Sequence, residues 1–163
     1  MKSLTLLRHA KSSWNDSGLK DHDRPLNNRG ERDAPDMGQR IHEAGIRPSL
    51  IVSSTAVRAS TTAKFIAAEL TYPAEFLQRD SKLYNANLDG LLDFVAEQDT
   101  GFNNILVIAH NPGMTRFANY LVPGLTDNLP TCGVVSVTID SDDWDLRNAG
   151  SVRLDLYDFP KNR

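Results

Sequence analysis

The chain has 163 residues, near the usual size of one domain, and can bury about two-thirds of its unfolded surface without disulfide or metal staples. Its 18 basic and 21 acidic side chains leave a formal net charge of -3, with no massed cations, which argues against non-specific nucleic-acid binding. Cys132 is the single cysteine, the first apolar run is cut short by Arg8, and nothing approaches the ~18 apolar residues of a membrane span, so one cytoplasmic domain over residues 1–163 is expected, with no membrane partner.

In chain order, strand-like and helix-like segments alternate. Residues 3–8 read as a buried strand. A helix follows that Asp33 or Asn28 can cap, running through Arg40, Ile41 and Ala44 to Gly45, with Pro35 in its first turn. Residues 49–52 form a second apolar run. Behind it Ser53-Ser54-Thr55 offers a hydroxyl cap for a helix whose stripe is Val57, Ala63, Ile66, Ala67 and Leu70, placing Arg58 in its first turn. Residues 75–78 suggest a short strand, 88–97 a helix, and 104–109 (Asn-Ile-Leu-Val-Ile-Ala) the clearest buried strand. A helix over 112–122 is stopped by Pro123, with Asn111 as its cap and Pro112 at its first position. Two alternating strands, 133–139 and 151–157, close the chain around a polar turn at 140–150. This order predicts a three-layer α/β/α sandwich on a mixed, mostly parallel sheet.

Four residues suited to phosphate chemistry fall where strands end: Arg8 and His9, Arg58, and His110. The carboxyl ends of strands in such a sheet converge on one crevice, so the four residues predict a site for an anionic group. Arginine can hold two phosphoryl oxygens at once, and a neutral imidazole attacks phosphorus without prior deprotonation. Phosphoryl transfer with His9 as nucleophile is the reaction this set implies. A helix amino terminus behind His110 would add to the anion site. His22 and His42 read as surface residues. The four histidines lack metal-ligand spacing, two guanidinium groups would repel a cation, and no phosphate-binding glycine loop appears, so neither a metal nor an organic cofactor is expected.

Leu7-Arg8-His9-Ala10, followed by Ser12, Trp14 and Asn15, resembles the Arg-His-Gly signature of the histidine phosphatase superfamily, which includes the phosphoglycerate mutases. The likeness extends to Arg24-Pro25-Leu26-Asn27-Asn28-Arg29-Gly30, to the segment from Ser53 to Ala63 around Arg58, and to Ala109-His110-Asn111. Arg-Asp-Ala-Pro at 32–35 and the short length are most similar to the SixA-like phosphohistidine phosphatases. The resemblance implies a phosphoglycerate mutase-like fold, phosphorylation of His9, and a phosphoryl group held by Arg8, Arg58 and His110, with Asn15 touching it. Ala10 replaces the usual glycine. Where mutase-like members carry a glutamate acid, this chain has Lys82-Leu83-Tyr84-Asn85, which leaves Asp21, or Asp23, as the substitute acid; Arg24 is a further candidate to face the site, or equally a partner for one of those aspartates. The implied substrate is phosphohistidine on a protein. The rivals are a small phosphorylated substrate, turned over by a phosphomonoesterase or mutase, and a phospholigand-binding module without catalysis.

Overall fold

The computed structural model describes residues 1–162. Six strands form one sheet in the order β3-β2-β4-β1-β5-β6, where β1 is Lys2–Arg8, β2 Leu50–Ser53, β3 Gln78–Arg79, β4 Asn104–Ala109, β5 Val134–Ile139 and β6 Val152–Asp158. The first four strands run parallel, and β5 and β6 add antiparallel at one edge. The helices are α1 (Asn28–Glu43), α2 (Val57–Glu69), α3 (Leu88–Ala96) and α4 (Gly113–Leu121).

Alternation along the central strands sorts the core into two layers. Leu4, Leu6, Val107 and Val52 pack with Leu91, Val95, Met114 and Phe117 on the α3/α4 face. Leu7, Leu106, Ile108 and Ile51 pack with Met37, Ile41, Ile66 and Ala63 on the α1/α2 face. Burying each of the larger side chains is worth about 1.5–3 kcal/mol, so both helix pairs are held by the sheet rather than by helix propensity alone. The sandwich and the mixed sheet are as expected. Among the described residues no helix is long and apolar enough to cross a membrane.

Several boundaries differ from the sequence expectation. Helix α1 is capped by Asn27, whose side chain accepts from the Gly30 amide, and Pro35 lies inside the helix, tolerated because Ala34, Met37 and Ile41 around it are buried. No side chain caps α2, because its N-cap position is Ala56, whose own amide donates to the Ser54 hydroxyl at 3.1 Å. Residues 74–76 form a single 3-10 turn, displacing β3 to Gln78–Arg79. The turn after β5 is less polar in use than in composition: Trp144 and Leu146 are buried.

The first turn of α1 closes on the loop that leaves β1. The Lys11 carbonyl accepts from the Asn27 amide at 3.0 Å, and Ser12 and Leu26 form an isolated bridge. A methyl group on Gly30 would lie 2.2 Å from that same carbonyl oxygen, so only glycine fits this approach.

Candidate active site

Register between the parallel strands puts the chemistry on one level. Arg8 in β1 faces Ala109 in β4, and Ser53 in β2 faces Ile108, so His9, Ser54 and His110 are the first residues past three adjacent strand ends. The His9 amide continues the ladder to the Ala109 carbonyl at 3.1 Å, and the Ser54 amide continues it to Ile108 at 3.0 Å. The His9 and His110 rings then sit 5.0 Å apart, and Arg58 reaches in from the first turn of α2. These residues line a cavity of about 210 Å³ with Arg8, Arg24 and Trp14.

His9 is buried and its Nδ1 lies 2.7 Å from the Ala10 carbonyl. A carbonyl only accepts, so Nδ1 carries the proton and Nε2 keeps a free lone pair. Burial first, and then the charges of His110, Arg58 and Arg8, push its basicity down to about 3 against the pull of that carbonyl, so the ring is neutral. His110 is pushed down to about 4, by burial first and then by Arg58, with the Asp21 carboxylate opposing. Its Nε2 meets the Ser54 hydroxyl at 2.7 Å, while its Nδ1 is buried without a partner, as are Nε of Arg8 and Nε of Arg58. Unpaired buried polar atoms each cost about 1–3 kcal/mol, a cost that an anion seated among them would relieve.

Asp21 lies at the centre of the charged wall. Its carboxylate accepts from Tyr84 Oη at 2.6 Å, from Arg58 Nη2 at 3.0 Å and from Arg24 Nε at 3.1 Å, and its backbone carbonyl accepts from Arg58 Nη1 at 2.7 Å. The Tyr84 hydroxyl, and then the two arginines, hold the carboxyl down at about 2. In this arrangement Asp21 is an ionised partner of Arg58, and the structure places the residue expected as the substitute acid against that guanidinium. Arg24 is buried beneath Trp14 and also donates to the Ser12 hydroxyl at 3.0 Å. Asn15 does not line the His9 cavity; it borders a neighbouring depression with Ser13 and Arg29. Asp23 lies 3.4 Å from His22 Nδ1.

Three amides at the start of the helix behind His110 already have acceptors within the chain. The Met114 amide is taken by the His110 carbonyl, the Thr115 amide by the Asn111 side chain and the Arg116 amide by the Pro112 carbonyl. Three site residues were not singled out by sequence reasoning. Ser54 had a signal, a hydroxyl at the end of a buried strand. Tyr84, whose ring stands edge-on to His110 at 5.5 Å, lies in the segment that the resemblance marked only for its missing glutamate, and His22, which meets Thr55 at 2.9 Å, was read as a surface residue.

The sequence model of the histidine phosphatase superfamily (branch 1) matches residues 4–79. An uncharacterised chloroplastic protein of Arabidopsis thaliana is 33% identical over 155 residues, 88% of this chain and 69% of its own. A candidate phosphohistidine phosphatase SixA from Agrobacterium tumefaciens has the same fold at a TM-score of 0.80, with 27% identity and 98% of both chains covered. A protein histidine phosphatase SixA complexed with tungstate shares the fold at a TM-score of 0.80 and 21% identity, again over 98% of both chains. The strand order, the sequence match and the full-length structural likeness agree, and the chain belongs to the histidine phosphatase superfamily, in the SixA-like form of its phosphoglycerate mutase-like fold.

Proposed function

We propose that the chain, as a single domain over residues 1–163, is a phosphatase that hydrolyses phosphohistidine on proteins through a covalent phosphohistidine on His9. The observation that carries this reading is the state of His9: buried, neutral, its Nδ1–H engaged by Ala10 and its Nε2 unengaged. Nε2 bonds to phosphorus as the bond from phosphorus to the substrate imidazole breaks, and the electron pair returns to that departing ring. The departing ring keeps the proton on its other nitrogen, so this step needs no separate acid. Water then attacks phosphorus, the bond to Nε2 breaks with its pair returning to His9, and inorganic phosphate leaves with the water oxygen. Charge on the equatorial oxygens is met by Arg8 and Arg58, and by His110 when Ser54 donates to its Nε2 and so leaves the proton on Nδ1. Arg24 helps to set the charged wall, and Asp21 anchors Arg58.

The scheme draws on no metal and no organic cofactor, since two guanidinium groups supply the positive charge. The likeness to the Agrobacterium tumefaciens protein supports phosphohistidine as the substrate class. A buried, unpaired Cys132 fits a reducing compartment, and we place the chain in the cytoplasm. Incubation with a radiolabelled phosphohistidine protein, followed by an alkaline quench, should leave label on wild type and none on His9→Ala. Retention of more than about a tenth of wild-type activity by His9→Ala would replace this mechanism with direct attack by water.

A further inference from the structure

The cavity around His9 has one feature that the phosphoryl chemistry does not use. Of its eleven lining residues only Trp14 and Asn85 are exposed, and Trp14 is 72% exposed, the largest value among the big apolar side chains. Exposing an indole is unfavourable, and a rigid aromatic face at the mouth of a polar cavity is suited to a ligand contact. Trp14 is also held in place. Its ring lies over the Arg24 guanidinium, 3.4 Å from Cζ to the ring centroid, and Arg24 is itself fixed by Asp21, Ser12 and the Ser13 carbonyl. One face of the indole is covered by that cation, while the residue as a whole stays largely exposed.

In-line attack sets the direction of the leaving group. His9 is buried, so a group departing opposite its Nε2 must leave the buried end of the cavity, and Trp14 is the exposed aromatic side chain in the lining of that same cavity. We infer that Trp14 is a specificity-determining residue: its exposed face receives a planar leaving group by stacking and so favours substrates whose phosphoryl group is carried on an aromatic or imidazole ring. The inference rests on the phosphatase reading for the location of the phosphoryl group, but it is tested by binding alone.

The test compares two non-hydrolysable ligands, phenylphosphonate and methylphosphonate, by calorimetry on the full chain. Wild type should prefer the phenyl compound by about tenfold, the worth of one aromatic stack. Trp14→Ala should bring the ratio of the two dissociation constants to about one, and Trp14→Phe should restore most of it. Taking the ratio removes any general weakening that comes through Arg24. A wild-type ratio near one, or a ratio unchanged in Trp14→Ala, overturns the inference. Because neither ligand is turned over, failure of the phosphohistidine assay would sink the proposed reaction and leave this result standing, and the reverse also holds.

Discussion

Asp21 takes both terminal nitrogens of Arg58, Nη1 on its backbone carbonyl at 2.7 Å and Nη2 on its carboxylate at 3.0 Å. The guanidinium that should hold the phosphoryl group is thus aimed by a negative charge that the substrate must share it with. Asp21→Asn keeps the oxygen and removes the charge. Inhibition by inorganic phosphate should tighten by about three- to tenfold, the scale of one unit charge at a few ångströms in a screened site. Turnover should fall less than about tenfold on every substrate. A collapse confined to alkyl phosphates would instead make Asp21 a proton donor.

Arg58→Ala should cost roughly 10²–10³ in kcat, the usual effect of removing one preorganised donor to a developing oxyanion. Arg58→Lys should recover only part, because the charge returns without the two-pronged geometry. Steady-state kinetics that match wild type in both variants would leave Arg58 a structural role only.

His9 and His110 are held neutral far below the ~6.5 of a free imidazole. The pH profile of kcat/KM should therefore show no limb near 6.5 once the ionisation of the substrate is divided out. Stability follows the same shifts. Between about 6.5 and the depressed values near 3 and 4, the unfolded chain binds protons that the native one refuses, so stability present above 6.5 is lost as the pH falls through that window. Asp21 adds a smaller loss of the same sign below its ordinary value of 3.8 toward about 2. Urea denaturation at steps from pH 8 to pH 4 should show a falling midpoint, and a flat midpoint would mean that both rings take up protons in the native chain as readily as in the unfolded one.

Substrate choice follows from a proposed reaction that draws on no side-chain acid. An alkoxide leaving group needs a proton from a positioned donor, help typically worth 10²–10⁴, whereas an imidazole can carry its own. The value of kcat/KM for phosphohistidine should exceed that for alkyl phosphates by at least about two decades, with aryl phosphates between them. Equal efficiencies would favour the small-molecule phosphatase.

Gly30→Ala tests the closure of α1 on the loop after His9. Alanine gains about 1 kcal/mol of helix propensity, but its methyl group would lie 2.2 Å from the Lys11 carbonyl oxygen. The backbone must move, at a cost of about 1–3 kcal/mol, and the moving segment adjoins His9. The expected outcome is a lower urea midpoint together with a lower kcat. Wild-type values of both would show that the loop gives way freely.

The buried strands were legible because their pattern is one of core against surface. Residues 104–109 could be nothing else, and once 3–8 and 49–52 were recognised, Arg8, His9, Arg58 and His110 followed from where strands end. What stayed hidden depends on side chains meeting across the fold. Ser54 looked like a cap because a hydroxyl before a helix usually is one, and only the register of β2 with β4 shows that it faces His110. Asp21 was read as an acid because a carboxylate was missing elsewhere; that its carboxylate accepts from Tyr84, 63 positions away, is visible only in the fold. The start of α1 moved because Asn27 took the Gly30 amide, whereas Asn111 accepts from the Thr115 amide of α4 much as a capping side chain was expected to.

The pairing of β1 with β4 joins Ser3 to Asn104 and Arg8 to Ala109, closing about a hundred residues of chain, and β2 reaches the site only by joining the far side of β4. Contacts of such long sequence separation form late, after the entropy of closing each loop has been overcome. A half-folded chain that already holds α1 against α2 still lacks the ring of His110 beside that of His9. Turnover recovered during refolding is therefore a gauge of the completed sheet, and it will trail any signal that reports helix content.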